Sequence, residues 1–286
     1  MLKTIVVVPC YNEAKRLDLQ AFEMAIKESP EVGLLFVNDG SQDETLSLIT
    51  CFAKKYPRQV GVLSDNVNRG KASAVRRGLS VAITCRPDYV GFWDADLATP
   101  LSEIADFCQI LDDRDNVSAV VGTRLPLLGH QIERKASRQI LSRMFATAAS
   151  IVLGVSLRDT QCGAKMFRVD QGIDSIFEAP FYSKWIFDVE IFARMIAKQK
   201  LTTDAVFAET IYEKPLESWF EVPGSKLKTR DFAKAVYELG MIYWKYLGPF
   251  RRPKLSQLVD SPRTPVGMFR NDMPLQVAAW KHQAAA

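Results

Sequence analysis

Phe92-Trp93-Asp94-Ala95-Asp96 closes a run of strand-favouring residues that begins at Tyr89. Two carboxylates one residue apart at a strand end can reach one hard cation through oxygen ligands, and that cation can neutralise a diphosphate. Alone, an Asp-x-Asp pair usually marks a solvated loop. Its neighbours give it weight. Strand patterns at Thr4–Val8, Leu34–Val37, Val60–Leu63, Tyr89–Trp93 and Ala119–Val121 alternate with helical patterns at Ala14–Lys27, Glu44–Lys55, Lys71–Thr84 and Leu101–Leu111. This alternation predicts an α/β fold, a mostly parallel sheet with helices on both faces. Ligands of such sheets bind at the carboxyl ends of the strands. Pro9, Asn38-Asp39-Gly40 and Asp94-Ala95-Asp96 all fall at those ends, on one expected rim.

Two of these extend into longer motifs. Pro9-Cys10-Tyr11-Asn12-Glu13 follows the first strand, and Asn38-Asp39-Gly40-Ser41-Gln42-Asp43 ends the second. Asp39 precedes a glycine that permits a sharp turn, where a carboxylate can grip a ribose hydroxyl or a uracil. Asn68-Arg69-Gly70-Lys71 opens a helix whose amides and cationic side chains suit a phosphate. Each motif taken singly is explained by a turn or a cap. Four in this order, ending in the aspartate pair, are not.

The 286 residues and 48% hydrophobic content allow one large domain with an appendage. A net charge of +4 gives no reason to expect nucleic-acid binding. Basic clusters stand at Arg134, Lys135, Arg138 and Arg143, at Lys226, Lys228 and Arg230, and at Arg251, Arg252 and Lys254. They suit an anionic ligand or membrane surface, or simply a solvated face. The five cysteines are odd in number and form no Cys-x-x-Cys pair, which fits a reducing compartment without zinc or disulfides. There is no signal-peptide pattern and no apolar run long enough to span a bilayer. The expected location is cytoplasmic, or peripheral on the cytosolic face of a membrane.

Past Thr123 the pattern changes. Arg138–Gly154 predicts an amphipathic helix with Leu141, Met144, Phe145, Ala148, Ile151 and Val152 on its apolar side. A second, from Asp231 to Leu247, sets Phe232, Val236, Leu239, Tyr243 and Leu247 against Asp231, Lys234, Glu238 and Lys245. Tyr243, Trp244 and Tyr246 beside Lys245, Arg251 and Arg252 have the composition of an interfacial anchor, and equally of a helix packed on its own core. The Pro-spaced tail after Pro253 is expected to be loosely held.

On these motifs the chain resembles a family 2 glycosyltransferase of the GT-A nucleotide-diphospho-sugar transferase fold. Val8 to Glu13, Asn38 to Ser41, Asn68 to Lys71 and Asp94/Asp96 carry the likeness. Gly122-Thr123-Arg124, Asp159 to Phe167, Trp185 to Glu190 and Glu221 to Leu227 are similar to the dolichyl-phosphate β-glucosyltransferase branch of polyprenyl-phosphate glycosyltransferases. Ala164 stands where that branch has an aromatic, which bears on the acceptor pocket. Its eukaryotic members usually carry an N-terminal membrane helix; these residues enter a strand pattern at Thr4, so a different mode of membrane attachment is expected.

The resemblance implies a catalytic domain over residues 1–215, with a donor half to about 123 and an acceptor half from 124. Residues 216–252 would be an amphipathic, membrane-interfacial segment and 253–286 a tail. It implies an inverting transfer of a hexose, glucose from UDP-glucose first, to a polyprenyl monophosphate. A nucleotide-sugar donor, a lipid-phosphate acceptor and a membrane surface are the implied partners, alongside a membrane protein or a second copy. Asp96, with Asp94, would hold Mg2+ or Mn2+. Pro9, Tyr11, Glu13, Asp39, Lys71 and Asp94 would contact the donor. Arg124 and Arg134 come first for the acceptor phosphate, with Arg138 and Lys165 behind them; Arg124, Lys165 and Asp188 join the aspartate pair as catalytic candidates. Asp188 and Glu190 are open to several roles, among them positioning sugar hydroxyls, acting as a base, or neutralising the Lys226 loop. The rival readings are transfer to a hydroxyl, with Asp188 or Asp159 as base, and a non-catalytic sensor, against which the intact aspartate pair argues. A processive synthase is disfavoured because no Gln-x-x-Arg-Trp motif occurs.

Overall fold

A computed structural model describes residues 2–125, 131–132, 136–170, 172–202, 207–220, 229–248 and 278–279. Its contacts divide the chain into Met1–Leu97 with Thr264–Ala286, and Ala98–Arg263.

In the first unit, strands β1 (Thr4–Cys10), β2 (Val32–Asp39), β3 (Val60–Asp65) and β4 (Tyr89–Trp93) lie in the order β3-β2-β1-β4. Every pair is parallel, with Cys10 opposite Asn38 and Asp39 opposite Asp65. All of β2 and nearly all of β1 are buried, as expected of β-branched strands covered on both faces. The chain moves outward through β2 and β3 and then returns to place β4 on the other side of β1. That reversal makes a topological switch point between β1 and β4, where an open parallel sheet offers its crevice.

Helices α1 (Leu19–Glu28), α2 (Thr45–Lys55) and α3 (Lys71–Thr84) cover the sheet. Phe22 of α1, Phe36 of β2 and Phe52 of α2 stack edge to face at 5.1 and 6.0 Å. On α3, Gly78 lets the helix backbone approach β1 and β2, since a methyl there would overlap Val7 and Val37. Helix α1 starts five residues later than the pattern suggests. Asp18 caps it by accepting from the Gln20 and Ala21 amides, both at 3.0 Å, so Ala14–Leu17 stay in a turn.

The second unit contains α4 (Glu103–Asp113), β5 (Ala119–Thr123), β6 (Gln131–Ile132), α5 (Ala136–Leu153), β7 (Ala164–Arg168), α6 (Ile173–Glu178), α7 (Phe187–Thr202), β8 (Ile211–Pro215), β9 (Ser218–Trp219) and α8 (Thr229–Ile242). Strand β5 lies between antiparallel β7 and parallel β8, and β6 pairs with β9. Strand β7 and helices α6 and α7 went unread in the sequence. Helix α7 buries Val189, Ile191, Phe192, Ala193 and Ile196, so it has no polar face to give a period.

Two expected helix faces are corrected. On α5 the buried residues are Phe145, Ala146, Ala149 and Leu153, whereas Met144 and Ile151 are exposed. On α8 they are Ala235, Leu239 and Ile242, whereas Val236 is half exposed and Tyr243 beyond it is exposed too. Most of the tail beyond Pro253 lies outside the described residues. Among the described residues, no helix is long and apolar enough to cross a membrane.

Candidate donor and acceptor sites

A cleft of about 360 Å³ opens at the switch point of the first unit. Pro9, Tyr11, Glu13, Asp39, Lys71, Asp94 and Asp96, all expected from sequence, line it together with Cys10, Arg16, Asn68, Gly70, Ala74 and Ala95.

Each wall has a local cause. The loops after β1 and β2 are laced together: the Asn12 amide donates to Ser41 Oγ at 3.0 Å and the Gln42 amide to Asn12 Oδ1 at 2.8 Å. The Glu13 amide donates to Thr45 Oγ1 at 2.8 Å and the Ala14 amide to Asp43 Oδ2 at 3.2 Å. Ser41, Gln42 and Asp43 are therefore fasteners for the first loop. Gly40 has φ +71°, and a Cβ there would come within 2.6 Å of the Val67 and Asn68 backbone.

Asp39 is almost fully buried. Its two oxygens accept the Arg69 amide at 3.0 Å and the Gly70 amide at 2.7 Å, which fixes the turn that opens α3. Lys71, first residue of α3, forms an ion pair with Asp94 Oδ1. The Leu97 amide closes a turn on the Asp94 carbonyl at 3.2 Å, with Leu97 at φ 53°, and this turn carries Asp94 and Asp96. Burial first, and the Glu13 charge second, push the Cys10 thiol up, so it stays protonated at neutral pH.

The other candidates lie in the second unit. Arg124 grips Asp159 with Nε–Oδ2 at 2.6 Å and Nη2–Oδ1 at 2.7 Å, and its guanidinium sits 5.2 Å from the Trp219 ring centroid. Glu213 in turn accepts the Arg158 and Asp159 amides; burial raises the pKa of its carboxyl. Lys165, with no exposed surface, donates to Asp188 Oδ1 and to the Cys162 carbonyl, both at 2.6 Å. Glu190 is also fully buried. It accepts from Arg194 Nη2 at 2.7 Å and from the Tyr246 hydroxyl at 2.9 Å, while Arg194 also caps the Ile176, Ala179 and Pro180 carbonyls. Glu190 is thus taken up in a network that ends helix α6 and anchors the turn after α8. Arg134 lies outside the described residues, as does the side chain of Arg138 in α5.

The sequence missed Arg16. It lines the cleft and holds Glu13 through Nε at 2.5 Å and Nη2 at 2.7 Å. The only sequence signal was the Glu-x-x-Arg spacing across Glu13 and Arg16.

A parallel sheet with an acidic, cation-flanked cleft at its switch point defines a protein that binds an anionic nucleotide-like ligand. The model of Glycosyl transferase family 2 matches residues 5–171, more than half of the chain, and the chain belongs to that family. It is 29% identical to a dolichyl-phosphate beta-glucosyltransferase of Trichomonas vaginalis, over 93% of this chain and 77% of the relative. It is 32% identical to that of Dictyostelium discoideum (78% and 68%) and 30% identical to that of Saccharomyces cerevisiae (85% and 74%). Among solved structures, mannosyl-3-phosphoglycerate synthase from Rubrobacter xylanophilus superposes with a TM-score of 0.59 at 17% identity, covering 88% of this chain and 78% of that one. Glucosyl-3-phosphoglycerate synthase from Mycobacterium tuberculosis, crystallised with Mn2+, UDP and glucosyl-3-phosphoglycerate, gives 0.57 at 15% identity, with 90% and 80% covered. The fold is GT-A, and the protein is a glycosyltransferase.

Proposed function

We propose that this enzyme transfers glucose from UDP-glucose, with inversion, to the phosphate of a polyprenyl (dolichyl-type) monophosphate at the cytosolic face of a membrane. The observation that carries the reading is the convergence of Asp39, Lys71, Asp94 and Asp96 on one cleft at the switch point. The dolichyl-phosphate glucosyltransferases among its relatives name the acceptor class.

The cleft fits a divalent cation that arrives with its substrate. Among the described residues no three metal-binding side chains cluster, and Mg2+ or Mn2+ characteristically takes one or two carboxylates and completes its shell with phosphate oxygens and water. Asp96 would hold the ion, with Asp94 beside it. When bound, the ion supplies charge to the departing diphosphate. Lys71, paired with Asp94 on the cleft wall, would be placed to meet a donor phosphate, and Asp39 keeps the α3 turn rigid beneath it. An acceptor phosphate oxygen attacks the anomeric carbon as the bond to the diphosphate breaks. That oxygen is already anionic, so orienting cations matter more than a base. Arg124, braced by Asp159 and Trp219, is the first of these; Arg134 and Arg138 are further candidates.

The membrane reading draws on α8. Opposite its buried Ala235, Leu239 and Ile242, it and the turn after it expose Tyr237 (69%), Met241 (44%) and Trp244 (69%) at helical spacing. Exposed Tyr182 and Trp185 adjoin them: Lys245 lies over the Tyr182 ring, and the Trp185 amide donates to Glu238 at 3.2 Å. Aromatics beside lysine suit the lipid headgroup layer. A Tyr237→Ser/Trp244→Ser double variant is expected to bind anionic liposomes about a hundredfold more weakly, since two partial burials of about 1.5 kcal/mol each are lost. Its UDP affinity should stay within twofold, and unchanged sedimentation with liposomes would refute this surface.

The test of function is product formation with Mg2+ or Mn2+ and UDP-glucose or GDP-mannose, with and without polyprenyl phosphate. Organic-extractable sugar from UDP-glucose that needs the lipid is expected. Robust transfer to a soluble hydroxyl acceptor and none to lipid would sink the reading.

A further inference from the structure

We infer that Arg16, held by Glu13, is a diphosphate-binding residue of the donor cleft. The inference rests on the donor reading above and adds a residue that reading does not use.

The geometry is specific. The Arg16 and Leu17 amides both donate to the Glu13 carbonyl at 2.9 Å, folding the chain so that Arg16 returns over Glu13. Glu13 is itself fixed by its amide bond to Thr45, and its side chain is only 12% exposed. Its two oxygens engage Nε and Nη2 of Arg16 in a fork, which sets the guanidinium plane. Nη1 is left without a hydrogen bond among the described residues, and the side chain remains 45% exposed on the cleft wall. The Glu13 bond raises the affinity of Arg16 for its proton. Arg16 shares the cleft lining with Asp94 and Asp96.

A plain surface pair at this spacing would leave both partners in water and hold neither firmly. Here both line the cleft, the acid nearly buried and the base the more exposed of the two. The cleft's charges give that arrangement a purpose. Four carboxylates line it (Glu13, Asp39, Asp94 and Asp96) against two cations, Arg16 and Lys71. Lys71 is paired with Asp94. An incoming diphosphate therefore meets a net negative wall and needs both cations as well as a metal. Arg16 is the one whose fork is braced by a carboxylate outside the aspartate turn, so its position does not depend on Asp94 or Asp96.

The experiment is calorimetric titration of UDP and of uridine, with Mn2+, into the wild type and Arg16→Gln, Arg16→Lys and Glu13→Gln variants. Arg16→Gln is expected to weaken UDP binding about tenfold or more and to leave uridine within twofold. Arg16→Lys should recover only part, because an ammonium lacks the fork. Glu13→Gln should weaken UDP in the same sense, and the double variant should be no worse than Arg16→Gln alone, as for one coupled unit. Equal loss of UDP and uridine would assign Arg16 to loop architecture and overturn the inference, as would unchanged UDP binding. A wild type that binds neither ligand would instead overturn the donor reading on which it rests.

Discussion

Asp96→Asn is expected to lower sugar transfer about a thousandfold, equivalent to about 4 kcal/mol of lost leaving-group stabilisation, while leaving the fold intact. The substitution preserves size and removes one charge from a half-exposed turn residue, so thermal stability should move by no more than about 0.5 kcal/mol. The two aspartates are not equivalent. Asp94 already carries Lys71 as an internal counter-ion, and that pair has to open before Asp94 can hold a metal ion. Asp94→Asn should therefore give the smaller loss of Mn2+ affinity, measured with UDP present. It should also release Lys71, whose charge still serves the diphosphate. Asp96→Asn should remove most of the Mn2+ binding under the same conditions. Full turnover by Asp96→Asn, with an undiminished metal requirement, would refute its assignment as the principal ligand.

The donor cleft was largely legible because its chemistry sits at strand ends, where sequence pattern and topology coincide. Val60 opens β3 and Lys71–Thr84 spans α3 as the pattern indicated, with Gly70 at φ 91° just ahead of the helix. Arg16 was not legible, because Ala14-Lys15-Arg16-Leu17 reads as the solvated start of a helix. Only the Asp18 cap moves that helix later and frees the turn. The second unit hid more. Helix α8 carries apolar residues on two faces, and periodicity alone cannot say which one packs inward, where Glu238 meets Ser183 and Ile186, and which one faces out. Lys165, Glu190 and Arg194 are charged residues in a core; Glu190 and Arg194 pair one turn apart on α7, but the Tyr246 hydroxyl that joins them comes from 56 residues beyond Glu190. Lys165 and Asp188 are 23 residues apart, and nothing local announces that they meet.

That pair carries the largest expected effect on stability. Lys165→Met should destabilise the protein by about 4 kcal/mol, the usual cost of leaving a buried charge unpartnered, and lower the melting temperature by about 10 °C. Lys165 Nζ lies on β7 with no exposed surface, and Asp188 stands in the first turn of α7, where the helix dipole also favours an acid. Removing the lysine leaves that carboxylate without its charge partner beside the buried strand β7. The second substitution is the informative one. A Lys165→Met/Asp188→Leu pair replaces both charges by apolar groups and should recover most of the lost stability, since a buried ion pair is often no better than a hydrophobic substitute. Calorimetric or denaturant unfolding of the three proteins measures this directly, and a Lys165→Met protein as stable as the wild type would refute the buried-pair account. The rescued double variant then separates architecture from chemistry. If it folds, binds UDP as the wild type does and still transfers sugar, the pair serves to join β7 to α7. If it folds and binds UDP but no longer turns over, Asp188 acts on the acceptor side of the reaction.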